Sequence, residues 1–266
     1  MWHCGRNSHP LTQPDGQLPL GPSAIQPFGT VRTIEGRLPL PVPREMDLQD
    51  IRQLLAEYRT AALNARSAGF DGVEVHGANG YLLDQFLRDS SNLRQDAYGG
   101  SVEKRCRLLF EVVQEVAGVW GMDRIGVRLS PTSPSNYRLS DSDPRALFSA
   151  ALRGLDQLGV CFVDVVEGSS NALPATCDMD WGSFRNLFRG RYIANNGFTQ
   201  ASGEQAVASG RVDLVSFGRL FIATPDLPRR FALGAPLNPL VEETIYTRDH
   251  RGYTDYPCLE GICESH

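Results

Sequence analysis

From Asp47 onward the chain alternates two kinds of hydrophobic spacing. Ile51, Leu54, Leu55, Tyr58, Ala62 and Ala65 recur at helical steps, which predicts a helix with Asp47 as N-cap and Gly69 as its stop. Short apolar or alternating runs at 72–76, 125–129, 161–166, 191–195 and 213–217 predict strands. Helices fall between them, one over Val102 to Val119 carrying Leu109, Val112, Val113 and Val116. Another opens at Pro144 and carries Leu147, Phe148, Ala151 and Leu155. Proline suits a first helical turn, where the missing N–H costs nothing. Strand and helix in strict alternation predict βα units and a parallel sheet.

The strand count narrows the architecture. Before the Asp47 helix only the residues around Met1 to His3 could add a strand, so the total is at most six. An open doubly wound sheet would show a glycine-rich nucleotide fingerprint at its first βα turn, and none is present. A (β/α)8 TIM barrel needs eight strands, and this chain would be short by about the first two. Residues 10–46 are rich in Pro and Gly without sustained periodicity and read as a long loop excursion. Residues 247–266 read as a C-terminal tail, and 1–266 as one domain.

Composition excludes several classes. An apolar fraction of 41% with 21% charged residues fits a globular chain with a sizeable core. A net charge of -5 with no Lys/Arg run argues against a nucleic-acid partner. No apolar stretch is long enough for a membrane span and no leader pattern opens the chain, which reads as cytoplasmic. Six scattered cysteines predict reduced thiols, and Cys258 with Cys263 lacks the second Cys/His pair that a zinc site needs, so no metal is expected.

Candidate chemistry gathers at predicted strand ends, where barrels of this kind build their sites. His76 and Asn79 can converge two hydrogen bonds on one oxygen, and Tyr81 can supply a proton. The alternative is a turn whose His and Asn cap the segment Leu82 to Leu87. Arg128 lies on a strand where Ile125, Val127 and Leu129 alternate with Gly126, Arg128 and Ser130, so if the apolar set faces the helices, Arg128 points inward. It serves either a buried salt bridge or a negative charge developing on a ligand. Asn196-Gly197 and Gly218-Arg219 follow consecutive predicted strands, and two small-residue turns with an Arg suit a phosphate.

Longer motifs carry a family resemblance. Val73-Glu74-Val75-His76-Gly77-Ala78-Asn79-Gly80-Tyr81-Leu82-Leu83-Asp84-Gln85-Phe86 and Ser91 to Ser101, with Val127 to Pro131, Asn196-Gly197-Phe198, Phe217-Gly218-Arg219 and Gly252-Tyr253 to Pro257, resemble the old yellow enzyme family. The resemblance implies noncovalent FMN, hydride from NAD(P)H and reduction of activated alkenes such as enones and nitroalkenes. It implies that His76 and Asn79 bind the substrate oxygen, that Tyr81 protonates the alkene and that Tyr253 lines the substrate face. Arg128 would sit beside the flavin ring, and Asn196, Gly197, Gly218 and Arg219 would hold the phosphate.

The chain departs from the family pattern in three places. Trp2-His3-Cys4-Gly5-Arg6 resembles the family's third barrel strand entered partway, which leaves flavin-contacting positions upstream and predicts weakened cofactor binding. Lys104 and Thr224 stand where the family usually has Asn. Two other readings stay open at this point: a fragment serving only as a binding module, and a phosphate-binding lyase or isomerase barrel, which would explain Gly218-Arg219 but not His76, Asn79 and Tyr81.

Overall fold

The computed structural model describes residues 1–133, 137–169, 175–247 and 249–259. The excursion over 10–46 carries more structure than its composition predicts. Strand β1 (Leu20–Gly21) pairs in parallel with β4 (Arg44–Glu45), while β2 (Thr30–Thr33) and β3 (Gly36–Pro39) form an antiparallel hairpin. Its mostly exposed positions give no apolar alternation to read, and Ile34-Glu35 lacks the Asn-Gly or Asp-Gly signature of a two-residue turn.

Helix α1 (Leu48–Ser67) starts where expected. The Asp47 carboxylate accepts the N–H groups of Gln49 and Asp50 while Asp50 bonds back to Asp47, which closes a capping box. The helix buries Ile51, Leu54, Tyr58 and Ala62 and ends just before Gly69, whose φ of 85° turns the chain away. It packs on α3 (Val102–Trp120), where the Trp120 indole donates to the Ala62 carbonyl and Arg66 to that of Val119.

Strands β5 (Val73–Gly77), β6 (Ile125–Leu129), β7 (Phe162–Val166), β8 (Arg191–Asn195) and β9 (Leu214–Ser216) form a parallel sheet in that order. Their outward residues, including Val75, Val127, Val163, Tyr192 and Ala194, are fully buried against the helices. Between the strands lie α2 (Leu82–Leu87), α3, α4 (Pro144–Leu158), α5 (Trp181–Arg185) and α6 (Gln200–Ala208), with α7 (Arg219–Ala223) and α8 (Leu227–Leu233) following β9. Pro144 opens α4 behind an Asp143 cap, and Gly159 ends it in the left-handed region.

The opposite face of the sheet is polar and set by register: His76 pairs with Arg128, and Arg128 with Asp164. Lower on that face a Cβ on Gly126 would meet the Phe162 ring at 2.0 Å, so the glycine makes room for the ring that fills the interior there. Along the free side of β5 the Met1 amine donates to Glu74 O and His76 N–H to Met1 O, so the N-terminal residues run where a sixth strand was expected. The described strands do not close a circle of eight.

The thiol expectation needs one correction. Cys4, Cys106, Cys161 and Cys177 are free, but Cys258 is disulfide-bonded; Cys263 lies outside the described residues. A scattered cysteine count bears on compartment and says nothing about local pairing in a tail. Among the described residues no His, Cys, Asp or Glu cluster could hold a metal, and no helix is long and apolar enough to cross a membrane.

Candidate functional site

Two clefts open at the C-terminal ends of the parallel strands. The larger, about 690 Å³, is lined by Arg128, Asn195 and Ser216 from the sheet and by the turns Asn196-Gly197 and Gly218-Arg219. Arg128 donates to Asp164 Oδ2 at 2.6 Å and to Asn195 Oδ1 at 2.7 Å. Asn195 in turn donates to Ser216, whose hydroxyl reaches Asp164 at 3.1 Å. The guanidinium therefore makes a salt bridge and lines the cleft at once, and the two readings of Arg128 are compatible. Burial pushes the Asp164 carboxyl up, against the pull of Arg128.

The glycines of this cleft show room for a ligand. Gly218 has φ -101°, open to any residue, and a Cβ there would meet no protein atom within 4 Å. Neither backbone strain nor protein packing demands glycine at that position. Gly197 also faces open space but has φ 71°. Asn196, at φ 99°, donates its carboxamide to the carbonyls of Glu167 and Ser169. These two bonds brace the turn.

The smaller cleft, about 380 Å³, is lined by Met1, Trp2, Glu74, His76, Asn79 and Tyr81. His76 Nε2 is buried without a partner, and burial together with the Arg128 charge lowers the imidazole to about 4. Asn79 sits in the left-handed region at φ 57°, followed by Gly80 at φ 81°. Among the described residues its carboxamide makes no hydrogen bond. Tyr81 stacks edge-on against Trp2 at 4.9 Å and lies 5.5 Å from the His76 ring. Burial pushes its phenol up to about 12, and its hydroxyl hydrogen-bonds that of Tyr137.

The capping alternative for His76 and Asn79 does not hold, because the N-cap of α2 is Tyr81 and no side chain caps the helix there. Tyr253, by contrast, stands 57% exposed and lines neither cleft. The sequence reading passed over Asp164, Asn195 and Ser216, each an inward polar position on a strand, and Tyr137, which lies in an aperiodic loop. Glu74 also lines the smaller cleft; burial, with the Asp164 charge, pushes its carboxyl up to about 7.

Paired clefts at the strand ends of a parallel βα sheet, one of them cradling space beside an arginine, mark a cofactor-binding barrel enzyme. Residues 1–238 match the NADH:flavin oxidoreductase / NADH oxidase family, and the chain belongs to it. It is 43% identical over 266 residues to 12-oxophytodienoate reductase 2 of Arabidopsis thaliana, covering 98% of this chain and 70% of the relative. To 12-oxophytodienoate reductase 1 of Oryza sativa subsp. japonica it is 43% identical, covering 99% and 69%.

Among solved structures, the old yellow enzyme homologue from Zymomonas mobilis superposes with a TM-score of 0.90 at 42% identity, covering 96% of this chain and 72% of that one. Morphinone reductase gives 0.92 at 39%, covering 98% and 71%. The fold is the old yellow enzyme TIM barrel, and the chain is an FMN-dependent oxidoreductase of that type. The lyase or isomerase alternative is set aside by the family match.

Proposed function

We propose that this protein reduces activated carbon–carbon double bonds, with FMN held in the larger cleft, the alkene in the smaller one and NAD(P)H as the electron source. The observation that carries this reading is the buried, unpartnered Nε2 of His76 beside Asn79 and Tyr81 in one cleft. The residues present fit FMN: Gly197 and Gly218 leave space that no protein atom fills, with Arg219 beside them for the phosphate, and Arg128 supplies a fixed positive charge. When bound, FMN supplies the hydride.

The residues of the chain would then act on the substrate as follows. His76 and Asn79 donate to the carbonyl or nitro oxygen, onto which negative charge moves as the β-carbon is reduced. Donors already in place before the reaction stabilise that charge without reorganising. A neutral His76 serves as such a donor through a ring N–H and carries no net charge. Tyr81 keeps its proton at neutral pH and delivers it to the α-carbon, while the hydroxyl of Tyr137 can bond the oxygen left behind.

Separate half-reactions test this reading. Tyr81→Phe in the flavin-loaded enzyme should slow cyclohex-2-enone reduction by about 10²-fold or more, while NADPH still bleaches the flavin. Equal slowing of both half-reactions would remove Tyr81 from its assigned role.

A further inference from the structure

Beneath the Asn79–Gly80 turn the chain buries a closed ring of polar groups. The Asn79 N–H donates to Ser130 Oγ at 2.7 Å, and the Ser130 hydroxyl donates to the Asp84 carboxylate. Asp84 accepts the Gly80 N–H at 2.8 Å and Arg88 Nε at 2.8 Å, and Arg88 Nη2 returns to the Ser130 carbonyl at 2.6 Å. Asp84, Arg88 and Ser130 are all fully buried, so water cannot replace the bonds among them.

We propose that Ser130 is a positioning residue, whose hydroxyl holds the left-handed turn after β5 so that the Asn79 carboxamide stays in the cleft with His76. The inference rests on the reading of His76 and Asn79 as donors to the substrate oxygen. Asn79 takes the left-handed region at φ 57°, which asparagine tolerates better than most residues with a Cβ, and the hydrogen bonds of its main chain hold the turn there. Its carboxamide has no partner of its own among the described residues, so only the main chain sets its direction. The two N–H groups of that main chain, at Asn79 and Gly80, both end in the Ser130–Asp84 ring. Ser130 also lies two residues beyond Arg128, so the end of β6 fixes the guanidinium of one cleft and the turn of the other.

Kinetics of the flavin-loaded enzyme with cyclohex-2-enone test the assignment. Ser130→Ala should lower kcat/KM about tenfold, the size expected for losing one buried hydrogen bond, with flavin content unchanged. Ser130→Thr, which keeps the hydroxyl, should restore most of the loss. In an Asn79→Ala background Ser130→Ala should add almost nothing, because groups acting through one another are not additive. If Ser130→Ala fails to fold, Ser130→Cys, a weak acceptor, carries the same comparison. Undiminished kcat/KM in Ser130→Ala, or the same tenfold loss on top of Asn79→Ala, would overturn the inference alone. An Asn79→Ala enzyme with parental enone kinetics would overturn the donor reading, and this inference with it.

Discussion

Arg128 Nη1 lies 2.6 Å from Asp164 Oδ2, so the cation that faces the larger cleft is anchored by a carboxylate only 5% exposed. Breaking a buried pair leaves a charge without its partner, at a cost of about 3 kcal/mol or more. Asp164→Ala should lower stability by that amount in urea unfolding and weaken FMN binding as Arg128 loses its orientation. Parental stability would mean that Asn195 alone holds the guanidinium.

Glu74 makes stability depend on pH. Its folded carboxyl is raised to about 7 from 4.5, so folding favours the protonated form. The contribution is fully present below pH 4.5 and is lost as pH rises through 7, about 3 kcal/mol across the window. Glu74→Gln mimics the protonated group. Its stability advantage over the parent should be negligible near pH 4.5 and approach that figure at pH 8, measured by urea unfolding at both values.

His76 should behave in the opposite sense. With its imidazole lowered to about 4, it stays neutral from pH 5 upward and keeps the same donor throughout. In a Glu74→Gln enzyme, which removes the other titrating group lining that cleft, enone affinity should be flat between pH 5.5 and 8. A break near pH 6.5, the ordinary histidine value, would show that the ring is solvated in solution.

The two cleft glycines should separate binding from folding. Gly218→Ala should leave the melting temperature of the flavin-free protein within error while weakening FMN binding, because the added methyl meets only cleft space. Gly197→Ala, at φ 71°, should also cost about 1–2 kcal/mol of stability from left-handed strain. Loss of stability at Gly218 without loss of flavin would place the phosphate elsewhere.

The barrel strands were legible because their outward positions repeat every second residue. β6 and β8 match the expected 125–129 and 191–195, and the others shift by only one or two residues. The hairpin over Thr30–Pro39 was not, since its burial is shallow and its turn unmarked. At the site, His76, Asn79 and Tyr81 stood together in sequence and share one cleft. Asp164 could have been found by applying to Phe162–Val166 the alternation that turned Arg128 inward. Tyr137 could not, because no period runs through its loop. The Ser130–Asp84 ring was beyond reach as well, since it depends on two strands coming into register.

The parallel register has a consequence for substrate range. His76, Arg128 and Asp164 stand at one level on three neighbouring strands, each near the C-terminal end of its strand. The loops that follow can lengthen, shorten or exchange residues without moving that level, because the pairing beneath them is fixed by main-chain bonds. Tyr137 sits in such a loop, between β6 and α4. On the proposed reading, grafting the part of that loop beyond Ser130 from a relative should change the preferred alkene while leaving the sheet, its charges and the Asn79–Ser130 bond intact.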